Sequence, residues 1–197
     1  MHTLKNITLY FVRHGETDWN LSRRLQGLTD IPLNATGRSQ AARHGRVMAE
    51  LDVDWSGFDF YASPLSRAAE TMEIVRRQIG PAAKEPIYDD RLREGAFGNW
   101  EGRSWSEIVR DEPENHALFL ERGWEVAPHG GESYSEIAVR LKAWAQTLTR
   151  DTVAVSHGGV SRVLRGLYLG IEPAKILGLP TPQSKFYRFQ DGQLDTI

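Results

Sequence analysis

Two histidines, two arginines and a glutamate carry the legible chemistry of this chain, and each follows an apolar run. Arg13-His14 ends the run Ile7-Thr8-Leu9-Tyr10-Phe11-Val12 and opens the polar turn Gly15-Glu16-Thr17-Asp18-Trp19-Asn20. An arginine beside a histidine sets a planar cation next to a nucleophile or acid/base, which suits an anionic substrate such as a phosphate ester. Arg67 follows Ser63-Pro64-Leu65-Ser66, in the first turn of an expected helix whose amides and dipole also favour an anion. Glu94 lies among small residues in Arg93-Glu94-Gly95-Ala96, and Ser156-His157-Gly158-Gly159 offers a second histidine with free amides at a helix start. Singly, each has an ordinary explanation: a solvated pair at a turn, helix surface, a loop carboxylate, a helix cap. Four such sites after four strand-like runs argue for one shared site, because ligands of open α/β sheets bind at the strands' carboxyl ends.

These groups supply the parts of phosphoryl transfer without a metal. A neutral His14 could attack phosphorus, Arg13 and Arg67 could neutralise the equatorial oxygens, and His157 could add a hydrogen bond to the transition state. Glu94 could protonate the leaving oxygen and then deprotonate water, provided that burial or substrate charge raises its pKa. The neighbouring cations are expected to lower the His14 pKa and keep its ring neutral.

The elements that must position these residues alternate between strand-like and helix-like, the pattern of an α/β sheet covered by helices. After the first strand, Thr36 to Leu51 reads as a helix with Thr36 as candidate N-cap. Phe58-Asp59-Phe60-Tyr61-Ala62 reads as a strand, and Ser63-Pro64 leads into a helix to about Ile79, with proline where a first turn tolerates it. Pro86 to Asp89 is a weaker strand. Ser133 or Glu132 to Leu148 reads as a long amphipathic helix, Thr152 to Ser156 as a strand, and Gly158-Gly159 opens another helix. Phe186 to Phe189 followed by Asp191-Gly192 predicts a closing hairpin with Leu194 onward. Between about Phe97 and Gly131 the alternation breaks: Trp100, Trp105, Phe119 and Trp124 stand among acidic residues, punctuated by Pro113, Pro128 and Gly130-Gly131. This stretch reads as an insertion over the sheet edge, its aromatics forming a small core rather than touching substrate.

Composition narrows the function classes. With 197 residues, 40% hydrophobic and 25% charged, the chain fits a single domain, residues 1–197, carrying the insertion at about 97–131. A formal net charge of -2 gives no reason to expect nucleic acid or an anionic membrane. The absence of cysteine excludes disulfides, thiolate metal sites and a cysteine nucleophile. No run approaches the roughly 18 apolar residues of a membrane helix, and the first residues lack the features of a signal peptide, so a cytoplasmic location is expected. Of the 24 basic residues 19 are arginine, which favours bidentate anion recognition somewhere. The pairs Arg23-Arg24 and Arg76-Arg77 read as helix surface.

The ordered motifs Arg13-His14-Gly15-Glu16-Thr17, Trp19-Asn20, Gln26-Gly27, Asp30, Pro32-Leu33, Gly37, Ser63 to Ala68, Glu94 to Gly102 and Ser156 to Gly159 resemble the histidine phosphatase superfamily. The branch is the one with cofactor-dependent phosphoglycerate mutase and its small bacterial phosphatase relatives. The resemblance implies a three-layer α/β sandwich, with a central, mostly parallel sheet between helices and the small insertion over the active-site edge. It implies His14 as the phosphorylated nucleophile, Arg13, Arg67 and His157 as the phosphate pocket, and Glu94 as proton donor. It also puts Asn20, Gln26, Gly27 and Gly158 where relatives contact phosphate or substrate.

Mutases of this family carry a longer insertion with extra basic residues, and a tyrosine and a lysine soon after the glutamate. Here Phe97 takes the tyrosine place, Trp105 is the counterpart of the lysine, and Gly159 stands where mutases tend to have asparagine. Aromatic rings cannot neutralise a second phosphate. The expected function is therefore hydrolysis of small-molecule phosphate monoesters through a phosphohistidine, with no cofactor and no metal. The alternatives are mutase-type transfer and a noncatalytic phosphate-binding module. The expected partners are a phosphorylated small molecule and, at most, a second copy in a homodimer, with no nucleic acid and no membrane.

Overall fold

Alternating side chains on two strands explain the layering. In β1 (Leu9–Arg13), Leu9 and Phe11 join one hydrophobic core while Tyr10 and Val12 join another. In β4 (Thr152–Ser156), Ala154 goes to the first core and Val153 and Val155 to the second. Strands buried on both faces need helices on both sides. The computed structural model describes Leu4 and residues 6–197. It shows a six-stranded sheet in which β1, β2 (Asp59–Ala62), β3 (Ile87–Tyr88), β4, β5 (Tyr187–Gln190) and β6 (Gln193–Thr196) lie in the order β3-β2-β4-β1-β5-β6. The pairs β3-β2, β2-β4 and β4-β1 are parallel, whereas β1-β5 and β5-β6 are antiparallel. The mostly parallel α/β sandwich expected from sequence is thus the architecture.

The helices are α1 (Asp18–Leu21), α2 (Ala35–Ala49), α3 (Ser66–Ile79), α4 (Trp105–Asp111), α5 (Pro113–Arg122), α6 (Tyr134–Ala145), α7 (Gly158–Leu169) and α8 (Pro173–Ile176). Met48 of α2 and Ala68, Met72 and Val75 of α3 cover one sheet face. Ile137, Leu141 and Trp144 of α6 and Val160, Val163 and Leu164 of α7 cover the other. Among the described residues no helix is long and apolar enough to cross a membrane.

Several boundaries differ from the sequence reading for local reasons. Strand β1 starts at Leu9 rather than Ile7, because the Thr8 amide donates to the Asp151 carboxylate at 2.7 Å. Helix α2 is capped by Asn34, not Thr36: Asn34 Oδ1 accepts from the Gly37 amide at 2.9 Å, and the helix stops at Ala49. Pro64 precedes the helix α3 instead of occupying its first turn, and the N-cap position, Leu65, has no side-chain acceptor. Ser133 caps α6 through a reciprocal box with Glu136, but that helix ends at Ala145. The closing hairpin turns at Asp191 (φ 50°) and Gly192 (φ 80°), the paired left-handed residues of a tight hairpin.

The insertion does not form a core of its own. Trp100 and Phe119 are buried in the same cluster as α6 and α7, and Trp124 packs against it.

Candidate active site

All four parallel strands deliver their carboxyl ends to one edge, where a cavity of about 350 Å³ opens. Its wall includes Arg13, His14, Asn20, Gln26, Gly27, Arg67, Glu94 and Gly158, eight of the nine residues singled out from sequence. The ninth, His157, is fully buried beside His14, with ring centroids 5.1 Å apart.

His14 follows β1 and is 2% exposed. Its Nδ1 lies 2.7 Å from the Gly15 carbonyl oxygen, an acceptor only, so Nδ1 carries the proton and Nε2 keeps its lone pair. Burial first, then the charges of Arg13 and Arg67, hold its pKa well below the usual histidine value. The sequence reading credited the cations alone; desolvation is the larger cause. His157 is held neutral in the same way, by burial and then by Arg67, His14 and Arg13. Its Nε2 is 2.8 Å from Ser63 Oγ, at the end of β2. A hydroxyl donated to Nε2 leaves the proton on His157 Nδ1.

The two arginines are fixed from behind. Arg67 is completely buried and donates to the Thr29 carbonyl at 2.9 Å and the Gly27 carbonyl at 2.7 Å. Arg13 donates to the carbonyl of Thr181, and burial lowers its pKa to about 10, which still leaves it cationic at neutral pH. Among the described residues Arg13 Nε, Arg67 Nε and His157 Nδ1 are buried and have no protein partner. Buried donors of this kind are rarely left unpaired without a purpose.

Glu94, beyond β3, accepts from the Gly159 amide at 3.1 Å through Oε1 and from the Gly95 amide at 3.1 Å. This corrects the expectation of free amides at the start of α7, because Glu94 already occupies one of them. A Cβ on Gly159 would lie 2.7 Å from Glu94 Oε1, so the glycine permits this carboxylate position. The start of α3 is likewise taken: Asp30 Oδ1 accepts from the Ser66 amide at 2.9 Å, supplying the anion that the helix end favours.

Asn20 Oδ1 accepts from the Thr17 amide and from Gln183 Nε2, each at 3.1 Å, which leaves its Nδ2 group for a ligand. Gln26 is 7% exposed. Gly27 has φ +52°, and its carbonyl faces Arg67.

Several groups at this edge escaped the sequence reading. Arg24 lines the cavity beyond the end of α1, donating to the Gly102 carbonyl at 2.6 Å, rather than lying on a helix surface. Arg162 also lines it and donates to Tyr134 Oη at 3.2 Å; its spacing of four from Gly158 on one helix face was the available signal. Thr181 and Gln183 gave none. Of the insertion's aromatics, Phe97, Trp105 and Phe119 reach the cavity, with Leu25, Leu120 and Leu177, whereas Trp100 and Trp124 do not.

The sequence profile of the histidine phosphatase superfamily (branch 1) matches residues 9–192. The chain belongs to this superfamily. Among its superfamily relatives, Phosphoglycerate mutase-like protein 4 of Arabidopsis thaliana is 34% identical, over 94% of this chain and 81% of its own. Probable phosphoglycerate mutase GpmB of Photorhabdus laumondii is 32% identical, covering 97% and 84%. Solved structures similar to this histidine phosphatase fold include a mycobacterial glucosyl-3-phosphoglycerate phosphatase complexed with VO3, at TM-score 0.81, 28% identity and coverage of 92% and 90%. Bacillus stearothermophilus YhfR gives TM-score 0.79 and 32% identity, with coverage of 92% and 90%.

Proposed function

We propose that this protein is a metal-independent phosphatase that hydrolyses small-molecule phosphate monoesters through a phosphohistidine at His14. The observation that carries the reading is the set of unpartnered buried nitrogens, Arg13 Nε, Arg67 Nε and His157 Nδ1, around a neutral His14. Two guanidinium edges and an imidazole N–H match the three equatorial oxygens of a transferring phosphoryl group. In the first step His14 Nε2 bonds to phosphorus, the phosphorus–oxygen bond to the leaving group breaks, and protonated Glu94 gives that oxygen its proton. In the second, Glu94 takes a proton from water, the water oxygen bonds to phosphorus, and the phosphorus–nitrogen bond breaks, restoring neutral His14 and releasing orthophosphate.

The outer wall supports a monophosphorylated substrate with a partly apolar body. Phe97, Trp105, Phe119 and Leu120 face the cavity, and none of them can neutralise a second phosphate. Mutase-type transfer is the second reading, favoured by Arg24 and Arg162 on the same wall and by the names of the curated relatives. Efficient conversion of 3-phosphoglycerate to 2-phosphoglycerate in the presence of bisphosphoglycerate would establish it in place of the first.

The deciding experiment is turnover of p-nitrophenyl phosphate with EDTA present, coupled to trapping of an acid-labile phosphoryl label. Turnover and label are expected on the wild type and neither on a folded His14→Ala variant. A label that persists on His14→Ala would exclude the assignment, and a noncatalytic module would show no turnover at all.

A further inference from the structure

Glu101 touches no cavity surface, yet its carboxylate collects four donors. Oε1 accepts from the amides of Leu28 at 3.0 Å and Phe97 at 3.1 Å; Oε2 accepts from the amide of Thr29 at 3.0 Å and from its hydroxyl at 2.6 Å. The loop so gripped is the one whose carbonyls, Gly27 and Thr29, hold the Arg67 guanidinium. Gly27 is shaped for this grip, since a Cβ there would lie 2.0 Å from Glu101 Oε1. Two of the five N–H donors of Arg67 go to these carbonyls, and its buried Nε has no protein partner among the described residues. The direction of that donor is set by the two carbonyls, and the carbonyls are set by Glu101.

We propose that Glu101 is a positioning residue for phosphate: it aims the free edge of Arg67 through the 27–29 loop and, through the Phe97 amide, ties the aromatic insertion to the same clamp. The inference rests on the phosphate-pocket reading of Arg67. Glutamine at 101 keeps the size but turns an NH2 group toward amides or a hydroxyl that also donate, so one side of the grip fails. Retained charge on Arg67 does not repair this, because the loss is one of direction.

The test is a double-variant cycle read by calorimetric titration with inorganic phosphate, with thermal unfolding as the fold control. Glu101→Gln is expected to weaken phosphate binding about tenfold in the wild-type background and less than about twofold in Arg67→Lys, whose ammonium has no planar fork to aim. Glu101→Asp, which keeps a carboxylate, is expected to recover part of the loss, and it carries the same cycle if Glu101→Gln does not fold. An equal loss in both backgrounds would mean that Glu101 merely staples the loop, and unchanged binding in Glu101→Gln would remove any role; either overturns the inference alone. A wild type that binds no phosphate would overturn the phosphate pocket as well.

Discussion

The base of the cavity and its outer wall are built on different principles. At the base, His14, Arg67 and His157 are almost wholly buried and Arg13 is half-buried; all four follow or end parallel strands and are held by backbone carbonyls or a buried hydroxyl. The wall is held by ring packing: Trp105 stacks on Phe119 with centroids 6.1 Å apart and meets Phe97 edge-on at 6.4 Å, yet remains 37% exposed. Directional hydrogen bonds fix donors for a group of invariant shape, such as a phosphoryl. Ring pairs prefer stacked or edge-on arrangements, but the apolar burial they offer a ligand is non-directional and tolerates variation in what it covers. Under the proposed function, reaction chemistry belongs to the base and substrate preference to the wall.

Changes at the base should affect every substrate, and changes at the wall should sort them. The largest effect is expected at Glu94, which stands where base and wall meet. In single-turnover phosphorylation, Glu94→Gln should slow alkyl phosphates more than p-nitrophenyl phosphate, with a gap on the order of 10² to 10⁴, since nitrophenolate leaves with little protonation and an alkoxide does not. Equal slowing of the two would make Glu94 a phosphate-placing group. Next comes Arg67→Lys, which should cost on the order of 10² in kcat/KM for all monoesters alike; a loss that varies with the leaving group would put Arg67 on the wall side of the comparison. Trp105→Ala should do the reverse, lowering kcat/KM about tenfold for a naphthyl phosphate and less than about twofold for glycerol phosphate. Uniform loss across both would blur the division.

The smallest effect concerns stability. His14 and His157 are neutral in the folded protein, their pKa values depressed chiefly by burial. The unfolded chain therefore binds more protons below the ordinary histidine pKa, so the folded state loses stability as pH falls through about 6.5, by up to about 1.4 kcal/mol per pH unit for each ring. Chemical denaturation at pH 7.0, 6.0 and 5.0 should show this slope, reduced in His157→Asn. A slope unaltered by that substitution would mean that His157 is not buried in its neutral form.

Much of the base was legible in sequence because its signals are local. The apolar runs and the Arg13-His14 and His157-Gly158-Gly159 turns each declare themselves within a few neighbours. Errors arose where a distant residue met a local need. Asp30 supplies the anion at the start of α3 from 36 positions away, and Glu94 takes the Gly159 amide from 65. Trp105 reads as core from the aromatic content of the insertion, but although it packs on Phe97 and Phe119 the fold leaves its free face on the cavity.

By itself the sequence determined which chemical groups follow which strands, hence the α/β layering and the five residues proposed here to move a phosphoryl group. Strand order and side-chain aim belonged to the tertiary structure. Placing β1 between β4 and β5 lets Thr181 hold Arg13 across 168 residues and lets Gln183 reach the His14 carbonyl at 3.1 Å. The tertiary structure also brings Arg24 and Arg162 to the cavity wall and Glu101 behind it. The physical reason is range: secondary structure and turns follow from neighbouring residues, whereas the direction of a buried donor is set by whatever acceptor the packed chain brings behind it.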